Sequence, residues 1–307
     1  MPVVEIERLR FEYGRRAVLR DLNVSIPAGA LYALLGPNGS GKTTLLQILM
    51  GLRRGYRGHV SVLGTESARL TLRDRQRIGY VAEGQSLPGW MRIEQIERYL
   101  APLYPTWDAS LARGLLERFD LDPRRVVDTL SRGEHMKVAL LCALAPRPEV
   151  LLMDEPFTGM DAVVKDELVR GLLESSGSEG WTVLLCSHDI GELELLADWV
   201  GFLANGGMRL SAPMESVRQR FKHVEITTGD NDARIDGVVD PAWLTLERSG
   251  RRIEGVLDEA DDSRVEHLLT NRFPGAERID ARSATLREVF VALAKSHPAG
   301  VTSEVAA

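Results

Sequence analysis

The segment Gly36-Pro37-Asn38-Gly39-Ser40-Gly41-Lys42-Thr43 decides the fold of this chain. It matches the pattern G-x-x-x-x-G-K-[ST] at every fixed position. An apolar run from Leu31 to Leu35 precedes it, and residues 44–50 have the composition of a helix. A strand, a glycine-rich loop and a helix in this order are typical of a phosphate-binding loop.

Each residue type in this loop has a physical reason. Glycines let successive backbone N–H groups turn towards an anion, and the N-terminus of the next helix adds partial positive charge. Lys42 can reach the β- and γ-phosphates of a nucleoside triphosphate, and the Thr43 hydroxyl can hold Mg²⁺. The predicted nucleotide contacts of this segment are Gly36, Pro37, Asn38, Gly39, Ser40, Gly41, Lys42, Thr43 and Thr44.

Length and composition limit the remaining possibilities. With 307 residues, of which 44% are hydrophobic, the chain can form one large domain or two unequal ones. A net charge of −6 without a long basic run argues against duplex nucleic acid as a main partner. Cys142 and Cys186 lie in apolar runs, which predicts buried, reduced thiols in a cytosolic protein. We find no signal-peptide pattern or membrane-spanning run, so a membrane role would need a partner.

Strand and helix patterns alternate along most of the chain. Short apolar strands are predicted at Val150–Met153 and Thr182–Cys186, and residues 90–145 are mostly helical in period. This alternation predicts a parallel sheet with functional groups at the C-terminal ends of its strands.

A second, smaller domain is predicted after a boundary near residue 220. A hairpin signal at residues 205–207 precedes the boundary. The expected α+β domain spans 221–296, and the polar residues 297–307 are expected to be a disordered tail. Its predicted elements are the strands Val224–Thr227, Leu244–Arg248 and Ile253–Leu257 and the helices Val265–Phe273 and Leu286–Ala294.

Two acidic residues end the strand that begins at Val150. Asp154 at the end of a buried strand can hold Mg²⁺ beside a phosphate loop, and Glu155 can orient and polarise the attacking water. The alternative is a strand that ends in two solvated acids. The phosphate loop in the same chain favours the catalytic interpretation.

A second anion site is predicted around Ser131 and Gly133. The Ser131 hydroxyl, the Gly133 N–H and the start of the following helix could bind phosphate, although an ordinary N-cap has the same pattern. One triphosphate does not need two such sites, which suggests that this one serves the nucleotide of another chain.

Two further residues could contact the nucleotide. His188, just after the strand Thr182–Cys186, could donate a hydrogen bond to a γ-phosphate or be a surface turn histidine. The Tyr13 ring could stack on adenine or merely cover the sheet, and we favour stacking.

Together these motifs resemble the ATPase subunits of ABC transporters over roughly residues 1–220. The resemblance implies an α/β fold with a phosphate-loop core, an antiparallel β subdomain and a helical subdomain at about 86–145. It also implies ATP and Mg²⁺ as ligands and catalytic roles for Lys42, Glu155 and His188. The segments that carry it are Tyr13, residues 36–43, 130–133, 153–156, 158–161 and 187–189.

The resemblance implies partners as well as chemistry. In the family, two such subunits face head to tail, so that the segment at Ser131 of one closes on the ATP of the other. Asp161 is also expected at the nucleotide. A transmembrane permease subunit would hold the chain at the cytoplasmic face of the membrane, and residues 87–91 with Trp90 could contact it unless Trp90 belongs to the core. Residues 282–293 resemble the closing helix of ABC-2-type exporter ATPases.

The chain departs from the family pattern at three positions. Glu83 stands where glutamine usually ligates Mg²⁺, and Gln85 is the alternative ligand if the loop is shifted. Arg132 replaces a glycine, and Glu134 stands where glutamine is common. These changes affect the expected hydrolysis rate more than ATP binding.

Two other functional classes compete with a transport ATPase. A soluble ABC-type ATPase acting in translation or DNA repair would have a coiled-coil insertion or two nucleotide domains, and this chain has one phosphate loop and no heptad run. A nucleotide-regulated binding module would not need Glu155 and His188. We expect the C-terminal domain to stabilise or regulate the dimer.

Overall fold

The computed structural model describes residues 2–158, 160, 165, 180–194, 197–229 and 240–296. The predicted tail at 297–307 lies outside these residues. The chain divides into two compact units, Met1–Asp189 with Leu195–Met208, and Ile190–Glu194 with Arg209–Ala307. The first unit ends at Met208, whereas the sequence predicts a domain boundary near residue 220. No helix within the described ranges is long and apolar enough to cross a bilayer.

The first unit contains the predicted parallel sheet. Its neighbouring strands β9, β3, β8, β7 and β6 are all parallel, and the sheet order is β10-β9-β3-β8-β7-β6. Only the first two residues of β10, Gly207 and Met208, belong to this unit. Every residue of β3, β7 and β8 is buried, as expected for a sheet covered on both faces. The strands are β3 (Leu31–Leu35), β6 (Ile78–Val81), β7 (Val150–Asp154), β8 (Thr182–Ser187), β9 (Trp199–Ala204) and β10 (Gly207–Pro213).

An antiparallel sheet forms the second layer of this unit. Its order is β2-β1-β4-β5, and its buried residues share one hydrophobic core with α1 and the parallel sheet. The strands are β1 (Pro2–Tyr13), β2 (Arg16–Pro27), β4 (Arg57–Val62) and β5 (Thr65–Glu66), and the helix α1 is Lys42–Leu49. The predicted antiparallel β subdomain is therefore present.

Helices fill most of the region between β6 and β7. They are α3 (Ile93–Leu100), α4 (Ala109–Arg118) and α5 (Arg132–Leu144), whereas the short helix α2 (Leu72–Gln76) lies just before β6. Asp108 caps α4, because its Oδ1 accepts hydrogen bonds from the N–H groups of Ser110 (2.7 Å) and Leu111 (2.9 Å). The α5 residues from Met136 to Leu144 are all buried. Trp90 is 74% exposed, so the alternative that it belongs to the core of this region is wrong.

The second unit is an antiparallel sheet with helices. The sheet order is β12-β13-β11-β14, and its core contains Val224, Trp243, Leu257, Leu269 and Phe273. The strands are β11 (Phe221–Thr228), β12 (Trp243–Ser249), β13 (Arg252–Asp258) and β14 (Ala276–Ser283), and the helices are α6 (Ile190–Leu193), α7 (Met214–Arg220), α8 (Asp262–Arg272) and α9 (Leu286–Lys295). The three predicted strands lie within β11, β12 and β13. The sequence did not predict β14, because all its residues after Ala276 are exposed and show no apolar alternation.

Candidate functional site

The glycine-rich loop joins β3 to α1. Gly41 precedes the helix with φ +110°, and α1 begins without a side-chain cap, so the N–H groups of its first turn are left for an anion. A Cβ atom on Gly41 would come within 2.7 Å of Leu19 Cδ2. A Cβ atom on Gly36 would collide with the Leu203 carbonyl oxygen and come within 2.7 Å of Ser40 Oγ. Glycine is therefore required at both positions.

A cavity of about 760 Å³ opens over this loop. It brings together residues from the ends of β1, β3, β7 and β8, which the sequence separates by up to 175 positions (188 − 13 = 175). The lining residues are Tyr13, Arg16, Val18, Asn38, Gly39, Ser40, Gly41, Lys42, Thr43, Thr44, Glu83, Asp154, Glu155, Thr158 and His188. Gly36 and Pro37 shape the loop without lining the cavity.

Lys42 lies at the buried end of the cavity. Its Nζ donates a hydrogen bond to the Gly36 carbonyl oxygen at 2.6 Å and lies 3.3 Å from Glu155 Oε1. Both side chains of this ion pair are more than nine-tenths buried. The lysine charge is thus held at the loop, beside the carboxylate predicted to act on water.

Glu155 follows β7 in a strained backbone conformation. Its φ is +48°, a region that residues other than glycine rarely adopt. Glu155 Oε2 lies 2.8 Å from His188 Nδ1 and accepts hydrogen bonds from the His188 N–H (3.3 Å) and the Thr158 hydroxyl (3.4 Å). The strain therefore aims the carboxylate between Lys42 and His188, as a positioned catalytic base requires.

Asp154 is the residue best suited to hold a cation. Both of its carboxylate oxygens are buried without a hydrogen-bond partner. Burial raises the pKa of Asp154, and the charges of Glu83 and Glu155 raise it further. The nearby Thr43 hydroxyl lowers this pKa, although its geometry falls short of a hydrogen bond. A divalent cation would satisfy both oxygens and offset the cost of burying their charge.

At this candidate cation site, phosphate and water would have to supply some of the ligands. Among the described residues, no group of three or more His, Cys, Asp or Glu side chains could hold a metal by itself. Mg²⁺ is commonly held by one or two protein oxygens together with phosphates and water, so Asp154, Thr43 and Glu83 fit it. Glu83 lines the cavity, whereas Gln85 lines a different one and its Oε1 accepts a hydrogen bond from the Ala82 N–H at 3.2 Å. The geometry supports Glu83 over Gln85 as the ligand.

Tyr13 borders the cavity at the end of β1. The residue is 42% exposed, and its ring makes an edge contact with Phe11, with ring centroids 4.9 Å apart. The exposed part of the ring is available to a nucleobase. Arg16, which pairs with Tyr13 across the hairpin, and Val18 also line the cavity. The sequence did not single out Arg16 or Val18, although the strand register that aligns Arg16 with Tyr13 could have indicated the first. Thr158 entered the sequence analysis only as part of the segment 158–161.

Ser131 and Gly133 lie outside this cavity, at the start of α5. The Ser131 hydroxyl accepts a hydrogen bond from the Glu134 N–H at 3.2 Å, and the Ser131 N–H donates to Glu134 Oε2 at 2.8 Å. These reciprocal bonds form a capping box. The N–H of Ser131 lowers the pKa of Glu134 most strongly, and Arg125, its ion-pair partner, lowers it further. Asp161 lies outside the described residues.

The two cysteines lie in the core and do not line the cavity over the glycine-rich loop. Cys142 and Cys186 are both buried and free, as predicted. Burial raises the pKa of Cys142 to about 12 and that of Cys186 well above its ordinary value. Both cysteines are therefore inert core residues.

The sequence of this chain is similar to those of known ABC transporter proteins. A sequence model of the family described as ABC transporter matches residues 19–158. The sulfate/thiosulfate import ATP-binding protein CysA of Salmonella typhi is 36% identical over 214 residues, which are 67% of this chain and 58% of CysA. The lantibiotic transport ATP-binding protein SrtF of Streptococcus pyogenes is 34% identical over 208 residues, which are 66% of this chain and 88% of SrtF.

A solved structure is also similar to this chain. It is described as the ATP binding subunit of an ABC transporter, and it has 28% identity and a TM-score of 0.65. The match covers 70% of this chain and 92% of that one. The match to CysA, by contrast, spans less than two thirds of the length of that relative.

Proposed function

The chain belongs to the ABC transporter family, and we propose that it binds and hydrolyses ATP to drive a membrane transporter. One observation carries the proposal. A phosphate loop, a buried lysine, an unpaired buried aspartate and a strained glutamate bonded to a histidine line one cavity. The names of two relatives, one for sulfate and thiosulfate import and one for lantibiotic transport, are consistent with transport as the output.

Binding would use both ends of the cavity. The N–H groups at the start of α1 and the Lys42 ammonium would hold the phosphates, and Tyr13 would stack on adenine. Mg²⁺, held by Thr43, Asp154 and Glu83, would neutralise phosphate charge. The Asp154 oxygens support this assignment, because no described group gives them a hydrogen bond and a cation would satisfy both.

Hydrolysis would depend on the bonds around Glu155. Its carboxylate would orient and polarise the attacking water while Lys42 moves its charge towards the γ-phosphate. His188, bonded to the same carboxylate at 2.8 Å, would donate to the γ-phosphate and lose that bond on phosphate release. The three side chains would thereby couple the chemical step to the state of the nucleotide.

A second subunit would complete the site. Ser131 and Gly133 lie at the start of α5 and outside the cavity of their own chain, which supports a role at the ATP of a partner. ATP would then close two subunits head to tail, and hydrolysis would reopen them. The partner is a second copy of this chain or a related one, and Asp161 is proposed to join the same site.

A transmembrane permease is the proposed output partner, with the chain at the cytoplasmic face of the membrane. Trp90, on the segment 87–91, is exposed enough to contact it. The resemblance of residues 282–293 to ABC-2-type exporters favours export.

We assign 1–220 to the nucleotide-binding domain and 221–296 to a domain that stabilises or regulates the dimer. Removal of residues 221–307 should then weaken ATP-driven dimerisation; unchanged dimerisation would refute that role.

A single substitution tests the catalytic proposal. Glu155→Gln should lower the steady-state ATP hydrolysis rate by about 10²–10⁴-fold, because the amide cannot polarise water as the carboxylate does. ATP binding, measured by calorimetric titration, should persist. Glu117→Gln, on the surface of α4, is the matched control and should leave the rate unchanged. A Glu155→Gln variant with the wild-type rate would contradict the assignment.

A further inference from the structure

The Tyr13 ring has a second contact that stacking on a base does not explain. The Arg53 guanidinium carbon lies 5.4 Å from the ring centroid, within cation–π range. Tyr13 lines the cavity and Arg53 does not. The guanidinium thus lies over the ring of a cavity residue without itself lining the cavity.

A helix end brings Arg53 to this position. The Gly51 N–H donates to the Ile48 carbonyl and the Leu52 N–H to the Gln47 carbonyl, both at 2.9 Å, which is the bond pattern of a Schellman motif. Gly51 has φ +66°, as that motif requires. The chain therefore turns back at the end of α1, so that Arg53 is returned beside Gln47.

Gln47 then fixes the arginine side chain. Arg53 Nε donates a hydrogen bond to Gln47 Oε1 at 2.8 Å, and the Arg53 N–H donates to the Gln47 carbonyl at 3.2 Å. Gln47 belongs to α1, the helix that begins at the phosphate loop. A short chain of contacts thus joins the phosphate-loop helix to the Tyr13 ring.

We propose that Arg53, held by Gln47, is a positioning residue that orients the Tyr13 ring for stacking on the nucleobase. The inference rests on the proposed ATP-binding function. Phe11 meets the ring in an edge contact, the Arg53 guanidinium lies over it, and Tyr13 also borders the cavity. A ring ordered in advance loses less conformational entropy when the base binds.

This arrangement separates recognition of the base from recognition of the phosphates. A cation–π contact at an exposed site accounts for about a two- to fivefold change in affinity. The loop amides and Lys42 hold the phosphates without the Tyr13 ring. Loss of the Arg53 contact should therefore weaken the binding of ligands that have a base and of no others. Inorganic tripolyphosphate, which has the same phosphates and no base, is the discriminating probe.

The test measures dissociation constants of the full chain for MgATP and for magnesium tripolyphosphate by calorimetry. Arg53→Ala should weaken MgATP binding about two- to fivefold and leave tripolyphosphate binding unchanged. It should raise KM for ATP and leave kcat unchanged. Gln47→Ala should have a smaller effect in the same direction. Arg54→Ala, the exposed neighbouring arginine, is the matched control and should bind both ligands as the wild type does.

A double variant distinguishes positioning from a general structural effect. In a Tyr13→Ala background, Arg53→Ala should cause no further loss of ATP affinity, since the ring it orients is gone. Equal weakening of both ligands, an unchanged affinity in Arg53→Ala, or the same loss without Tyr13 would each overturn the positioning role alone. A wild-type chain that binds no ATP would overturn the proposed function as well.

Discussion

The two compact units differ in the buried polar groups that they leave without hydrogen-bond partners. In the first, both Asp154 oxygens and the Ser40 hydroxyl are buried without hydrogen-bond partners, and Glu155 has a positive φ. In the second, Arg220 makes a forked pair with Asp258, and Arg282 makes another with Glu288. Unsatisfied groups in a folded protein need an explanation, and a ligand would supply it for Asp154 and Ser40, which line the cavity. The Tyr56 hydroxyl and Arg75 Nε, which also lack hydrogen-bond partners, lie outside that cavity.

Among the described residues of the second unit, His223 is an exception to this pattern. His223 Nδ1 is buried without a hydrogen bond, although Glu225 and Glu288 lie within 3.9 Å of its ring nitrogens. The carboxylates of Glu225 and Glu288 place negative charge near the imidazole ring but lie too far from its nitrogens to accept a hydrogen bond. The difference indicates that cavity groups are arranged for ligands, whereas most charged groups of the sheet unit stabilise the unit itself.

The largest expected difference comes from paired glycine substitutions. Gly36→Ala places a Cβ against the Leu203 backbone, so the loop must move, and the ATP hydrolysis rate should fall ~100-fold. Gly250→Ala, in the turn between β12 and β13, meets nothing within 4 Å and should cost only about 1 kcal/mol of unfolding free energy for its positive φ. Hydrolysis assays and urea denaturation check both, and similar rates in the two variants would contradict the comparison.

A smaller difference is expected at two equivalent helix caps. Ser131 and Thr285 each form a capping box, with Glu134 and Glu288 respectively. Alanine at either position should lower the free energy of unfolding by about 1 kcal/mol. Only Ser131→Ala should also weaken ATP-driven dimerisation, by ~10-fold, because it removes a trans hydrogen bond from each of two sites. Sedimentation at several protein concentrations measures this, and an equal effect of Thr285→Ala would remove the trans assignment.

The smallest expected effect is a pH dependence of opposite sign in the two units. Arg282 above all, and Thr285 to a lesser degree, hold the pKa of Glu288 at about 2, against burial. Its stabilisation is fully present above its unfolded pKa of about 4.5 and is lost as the pH falls towards 2. Burial raises the pKa of Asp154, so Asp154 destabilises the fold at neutral pH and this penalty is relieved as the pH falls towards 3.8.

Denaturation curves at several pH values separate these two contributions. Between neutral pH and 3.8, the stability of the wild type relative to Asp154→Asn should rise as the pH falls. Below about 4.5, the stability of the wild type relative to Glu288→Gln should decrease as the pH falls. Parallel curves for the two variants would show that the carboxylates have similar environments after all.

Sequence patterns predicted the elements whose chemistry is local. The phosphate loop, the Ser131 cap and the turn at Asn205 and Gly206, both with positive φ, depend on residues a few positions apart. Strand β14 was missed because its polar residues have no period. The contact of Arg53 with Tyr13 was also missed, because it depends on how the end of α1 faces β1.

The sequence by itself determined that a phosphate loop opens α1, because glycine conformation and residue spacing are properties of adjacent residues. Only the tertiary structure decided which side chains meet there. The strand order β3-β8-β7, all parallel, brings Asp154, Glu155 and His188 to the loop and aims Glu83 instead of Gln85 into the cavity. Burial and strain at Asp154 and Glu155 arise from that packing, since desolvation and backbone constraint depend on groups far apart in the chain.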